Sequence, residues 1–287
     1  MINNRYEYSR TPLEGLASKY ISVPLSIIID SELNVKATSV LAYLRVRCGL
    51  DDIIGFTVSD LVGWCGGKPD RRMDGSNEKY LGILDKLADR GYLTYLDKRS
   101  RSKYMRFKFN SNYYSEECSN NYSSVYLDEI EKIMQYKKKN EKGTSVTNVR
   151  IFLVFAYLRY RIRRRPNELK PEERTLDGIK ERKLRYPEAY DGYINDIADE
   201  IGLSTKTVSK IIDILEEDLK LIVTDRAFRV RNEDGEFRTL PIIFANAYKR
   251  ESSNLLLTEK DYSRNEIEAK AKKIKNYKIN KDKRKAS

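Results

Sequence analysis

Residues 193–231 read YINDIADEIGLSTKTVSKIIDILEEDLKLIVTDRAFRVR. Ile194, Ile197, Ala198 and Ile201 recur at i, i+3, i+4 and i+7, the spacing of one buried helix face. Gly202 is expected to stop that helix, because glycine enters the left-handed conformation without a Cβ penalty. Ser204 then caps a second helix, whose apolar side is Val208, Ile211, Ile212 and Leu215. Ala198, four residues before Gly202, is small enough to let the two helices cross closely. Ser204, Thr205, Lys206, Thr207, Ser209 and Lys210 supply hydroxyls and ammonium groups around the start of the second helix. Such donors reach bases and phosphates. A helical hairpin that only packs is the plainer alternative; the short turn, its cap and the polar face weigh against it.

The next stretch is strand-like. Residues 221–226 have strand character, residues 228–231 alternate apolar and basic, and Asp234-Gly235 is a hairpin turn signal. Arg226, Arg229, Arg231 and Arg238 would place cations along this hairpin, against phosphates or a minor groove. Helix, tight turn, helix and hairpin in this order make a helix-turn-helix with a wing. These residues resemble the superfamily of winged-helix DNA-binding proteins.

The chain says nearly the same thing twice. Leu41-Ala42-Tyr43-Leu44-Arg45-Val46-Arg47 returns as Phe155-Ala156-Tyr157-Leu158-Arg159-Tyr160-Arg161, at an offset of 114. The lead-ins agree, Val23-x-Leu25 with Val125-x-Leu127. Residues 56–61 align with residues 192–197 at an offset of 136, which sets Gly66 on Gly202. Leu84-Asp85-Lys86-Leu87 aligns with Ile212-Asp213-Ile214-Leu215 at an offset of 128. Basic residues 98–103, with Arg99, Arg101 and Lys103, form a hairpin tip, and Met105, Phe107 and Phe109 return on one face. Four blocks in one order argue for a repeated unit.

The changes of offset locate two basic insertions. One adds eight residues to the turn of the first copy, at 67–75; the other adds 22 between the first two helices of the second copy, at 161–187. The expected reading faces also differ: Lys206, Ser209 and Lys210 correspond to Glu78, Leu81 and Gly82. That contrast predicts a second copy that reads bases and a first copy that holds backbone or a partner.

Charge is distributed unevenly. The chain has 287 residues and a net charge of +12, which favours a polyanionic partner. Residues 161–187 hold ten Lys/Arg against five Asp/Glu, and residues 265–287 hold nine against three; neither run includes the reading helix. Arg163, Arg164 and Arg165 open the first of these runs. Three cysteines without metal-ligand spacing, and no histidine, predict reduced thiols and no metal or cofactor. A Ser-His-Asp triad and a two-histidine nuclease site are impossible, no phosphate-binding GxxxxGK[ST] loop exists, and no catalytic constellation is visible. The opening MINNRYEYSR lacks the apolar core of a signal peptide, and the longest apolar run, residues 151–158, cannot span a bilayer. A cytoplasmic protein with no membrane partner is expected.

The predicted fold is mainly α with small β-hairpins, an α+β class holding two tandem winged helix-turn-helix domains. The expected boundaries are an arm at 1–19, the first domain at 20–110, a linker at 111–124, the second domain at 125–250 and a basic tail at 251–287. Residues 23–44, then FTVSDL and LDKLADRGYL, resemble the winged-helix region of replication initiators from plasmids and integrative elements. The resemblance implies a non-enzymatic protein that binds double-stranded DNA in a bacterial or phage-infected cell. It further implies host replication proteins as partners and a homodimer through the first domain. Two other readings stay open: a transcriptional regulator that meets RNA polymerase, and a replisome-loading adaptor or inhibitor acting by protein contact.

Overall fold

The computed structural model describes residues 19–33, 35–49, 51–119, 121–137, 146–162, 189–226, 229–231, 237–239, 241–247, 249–250 and 256–257. They form a mixed α+β structure of short helices and small antiparallel sheets. The first run of elements is β1 (Tyr20–Pro24), α1 (Leu25–Ile28), α2 (Ala37–Arg47), β2 (Ile53–Phe56), α3 (Val58–Trp64), α4 (Ser76–Asp89), β3 (Leu93–Tyr95) and β4 (Met105–Phe109). After α5 (Ser111–Glu117) the second run begins with β5 (Tyr122–Tyr126), α6 (Leu127–Met134) and α7 (Asn148–Arg161). It continues through β6 (Ala189–Gly192), α8 (Ile194–Glu200), α9 (Thr205–Asp213) and β7 (Ile222–Asp225) to β10 (Ile242–Asn246). Between β7 and β10 lies a further hairpin, β8 (Arg229–Arg231) with β9 (Phe237–Thr239). A last pair joins β11 (Lys249–Arg250) to β12 (Leu256–Leu257).

Both runs build a three-stranded antiparallel sheet in the same order. The early strand and the middle strand flank the final one: β2-β4-β3 in the first unit and β6-β10-β7 in the second. The repeated block is buried alike in both copies, with Ala42, Tyr43 and Leu44 matched by Ala156, Tyr157 and Leu158 in the core. Met105, Phe107 and Phe109 alternate with exposed residues along β4, so the sheet turns one face inward as its pattern predicts.

The two units meet through their lead-in strands. β1 pairs antiparallel with β5, with Ser22 opposite Ser124 at the centre of the ladder. At the offset that relates Val23 to Val125, Ser22 corresponds to Ser124, so the pairing is symmetric about equivalent residues. One apolar cluster takes Ile21, Val23, Ile28 and Ala42 from the first unit together with Val125, Ile130, Phe155 and Leu158 from the second. Beneath it, Arg159 donates to Glu129 at 3.2 Å and to the Ser124 carbonyl at 3.3 Å. The Glu129 side chain is fully buried and that of Arg159 is 8% exposed, so this ion pair sits inside the protein. Glu129 also accepts the Tyr126 N–H at 2.9 Å, closing the start of α6.

Several sequence expectations need correction. α2 begins only at Ala37, since Asp30 Oδ1 accepts the N–H groups of Glu32 and Leu33 and holds the stretch before it as a turn. β1 is extended to Pro24, and α1 after it is a single helical turn. The stretch at 111–124, read as a connector, holds α5 and most of β5. Asn110 caps α5 by accepting the Tyr113 N–H, and Tyr114 and Cys118 are buried one turn apart. The arm up to residue 18, most of the basic insertion, the Asp234-Gly235 turn and most of the tail lie outside the described residues.

Candidate nucleic-acid interface

The predicted helix pair is present. Ile197, Ala198 and Ile201 are buried on α8, and Val208, Ile211, Ile212 and Leu215 are buried on α9 and the π-helical turn after it. Gly202 has φ +66 and closes α8: its N–H meets the Asp199 carbonyl at 3.4 Å, and the Leu203 N–H meets that of Ala198 at 2.9 Å. This pair of hydrogen bonds about a left-handed glycine is a Schellman ending. Gly66, at φ +76, ends α3 in the same way, with Gly66 N–H to Gly63 and Gly67 N–H to Val62. The same turn is thus built twice, from glycines that the sequence alignment sets together.

Ser204 caps α9, its Oγ accepting the Thr207 N–H at 3.3 Å and lying 2.8 Å from the Thr207 hydroxyl. Ser204 and Thr207 are therefore occupied by the cap. Thr205 and Lys206 are exposed, and Ser209 and Lys210 are half-buried. These residues come together on the first two turns of one helix. The strand bearing Arg229 and Arg231 pairs with that bearing Arg238, placing three arginines on one short hairpin. Arg163, Arg164 and Arg165 lie outside the described residues.

The arginines that follow each third helix are engaged with acids. Arg226 donates to Asp213 and, at 3.4 Å, to Glu216; the hydrogen bond to Asp213 raises its pKa further above the ordinary arginine value. Arg99 contacts Asp85 at 2.9 Å and Glu78 at 2.8 Å, and Arg101 approaches Glu78 at 3.6 Å. Asp85 and Asp213 are equivalent at the offset of 128, so each unit ties a following arginine to the same position of its third helix. Lys103 stands exposed at the tip of the first hairpin.

Leu81, expected on an exposed face beside Glu78, is in fact fully buried. It packs in the first-unit core with Tyr80, Leu84 and Leu87, so α4 buries a broader side than α9 does. Sequence reasoning also missed Asn77, which is fully buried at the start of α4. Its amide donates to Ser59 Oγ at 3.1 Å and to the Arg101 carbonyl at 2.8 Å, while its oxygen accepts the Asp70 N–H at 3.2 Å. One side chain thereby fastens the inserted turn, α3 and the loop between β3 and β4 together. No pattern marks such a residue, since its partners come from three separate stretches.

Among the described residues no helix is long and apolar enough to cross a membrane, and no group of three or more potential metal ligands is present. The chain matches no family model, no curated protein and no solved structure.

Proposed function

We propose that the protein is a tandem winged-helix protein that binds double-stranded DNA in a sequence-specific way, with α9 as its reading helix. The carrying observation is the capped start of α9, where Thr205 and Lys206 are exposed and Ser209 and Lys210 half-buried, outside the buried set of Val208, Ile211 and Ile212. A groove-reading helix needs its first turns clear of the core and lined with donors. The second support is the repeated order of helix, strand, two helices and two strands, with a basic hairpin after α9. Within this class we favour a replication initiator of a plasmid, phage or integrative element, on the sequence resemblance of the first unit.

Selection of bound duplexes from a random pool tests the reading. Lys206→Ala and Lys210→Ala should each cost about 1–3 kcal/mol at one or two base positions of the selected motif. An unchanged base preference in both variants sinks the assignment of α9. Location of the motif then separates the roles: repeats within an origin fit an initiator, and a site across a promoter fits a regulator.

A further inference from the structure

The three-stranded sheet of the first unit packs one face inward and leaves the other open. Phe56, Phe107 and Tyr95 close the inner side with their rings in contact. On β4 the outward residues are Arg106 and Lys108, and Tyr104, two positions before Arg106, continues their alternation. Tyr104 is 62% exposed, and its ring lies beside Gly55, the residue of β2 that pairs with Arg106. A larger side chain at that position would push the ring away, so glycine lets an aromatic plane rest on the strand. Ile53 and Thr94 flank Lys108 from the two neighbouring strands. Leu96 prolongs β3 beside Arg106, its N–H donating to the Arg106 carbonyl at 3.0 Å. All three are exposed.

Two acids border this face. Asp97 holds Arg106 at 2.9 Å, and Asp51 Oδ1 accepts the Ile53 N–H at 3.2 Å. The Arg106 pair lies in solvent, where such a contact is weak and opens easily. The second unit has no counterpart of this surface among the described residues. At the register that matches Phe107 with Phe244, Arg106 and Lys108 correspond to Ile243 and Ala245, and both of these are buried.

An exposed aromatic plane with cations along the same strand complements a chain of stacking bases and phosphates. A duplex hides the faces of its bases, whereas a single strand offers them. A second copy laid face to face would bring its cations against those already there, which disfavours self-association. Apolar Ile53 and Leu96 stand where a ribose 2′-hydroxyl would need a polar partner, which favours DNA over RNA. We propose that this open sheet face holds single-stranded DNA, with a base stacked on Tyr104 and phosphates against Lys108 and Arg106. The site is separate from α9 and takes a strand without its complement, so it goes beyond the duplex reading above and is tested apart from it.

The test uses the full chain and an oligothymidylate of about 15 nucleotides, with affinity measured across a range of salt. The unaltered protein should bind this strand. Tyr104→Ala should weaken binding roughly 5–100-fold, the loss of one stacked base, while Tyr104→Phe keeps it. Lys108→Gln should lower the log–log salt slope by roughly 0.7, the share of one phosphate in a single strand. Base preference in duplex binding should stay unchanged in all three variants. Equal weakening by Tyr104→Ala and Tyr104→Phe, or none by either, removes the stacked base and overturns the proposal. Binding of duplex without binding of oligothymidylate overturns it too, and leaves the role of α9 intact. Strand binding that depends on Tyr104, in a protein that binds no duplex, supports the open face and sinks the α9 reading alone. Oligouridylate bound more tightly than oligothymidylate would make the occupant RNA. A dimer that Tyr104→Ala dissolves, without strand binding, would give the face to a second copy. Either of these last two results overturns the assignment to DNA.

Discussion

α4 and α9 occupy equal places in two units of equal strand order, yet their outward surfaces have little in common. On α9 the exposed first turns carry hydroxyls and lysines. On α4 the corresponding side holds Glu78 and Asp85, which draw Arg99 and Arg101 down onto the helix, and Leu81 has been taken into the core. Repetition of backbone order therefore does not carry repetition of chemistry. Few side chains decide what a helix of this kind presents, because its buried stripe, its start and its left-handed ending fix everything else.

The largest expected effect comes from another pair of matched residues, Arg45 and Arg159. Arg159 is buried with Glu129, whereas Arg45 is half-buried over the ring of Tyr114. Removing one partner of a buried ion pair costs about 3–5 kcal/mol, because the other charge is left unpaired out of water. Arg159→Ala should show that loss in chemical denaturation, and Arg45→Ala about 1 kcal/mol or less. Equal losses would mean that the seam does not depend on the buried pair.

Leu81→Ala should destabilise the protein by about 2–5 kcal/mol, the cost of a cavity in a packed core. The matching Ser209→Ala should stay within about 0.5 kcal/mol. A small effect of Leu81→Ala in the same denaturation series would return that residue to an exposed face.

Gly91 and Lys220 sharpen the comparison at the ends of the third helices. Both lie in the left-handed region, at φ +86 and φ +53. A lysine there strains its backbone, and a glycine does not. Gly91→Ala is expected to cost about 1–2 kcal/mol, since a Cβ there meets no atom within 4 Å and only the backbone conformation opposes it. Lys220→Gly is expected to stabilise by about 0.5–1 kcal/mol. Thermal denaturation of the two variants should move in opposite directions; a shift of the same sign would remove the equivalence of the two endings.

The smallest effect concerns the matched arginines Arg99 and Arg226. Arg99 is 41% exposed beside Glu78 and Asp85, and exposed pairs contribute about 0–1 kcal/mol. Arg99→Ala and Arg226→Ala should each change stability by no more than that. A larger loss in either would make its ion pair part of the structural frame.

The parts legible in the sequence are those written in short-range pattern. Gly66 and Gly202 announce two matching helix endings, and the spacing of Val208, Ile211 and Ile212 marks the buried side of α9. The offset blocks place α3 and α8 in register to the residue, Val58 against Ile194. The hidden parts depend on residues distant in the chain. α5 is short, and its Ser/Asn/Tyr-rich sequence turns helical because Asn110 caps it and Tyr114 packs against Phe109. Leu81 reads as a surface residue only when its alignment with Ser209 is carried over from backbone to burial.

The ladder between β1 and β5 also sets a timetable. Tyr20 faces Tyr126, more than a hundred residues later, with the whole first unit between them. A chain made at about 5–20 residues per second leaves β1 without its partner for roughly 5–20 s. During that interval the apolar Ile21 and Val23 have nothing of the second unit to lie against, and the strand edge is open to other chains. The late arrival of β5 therefore governs when the molecule becomes safe from misassembly. A shortened polypeptide that stops before residue 122 never reaches that point, however well its own sheet and helices form.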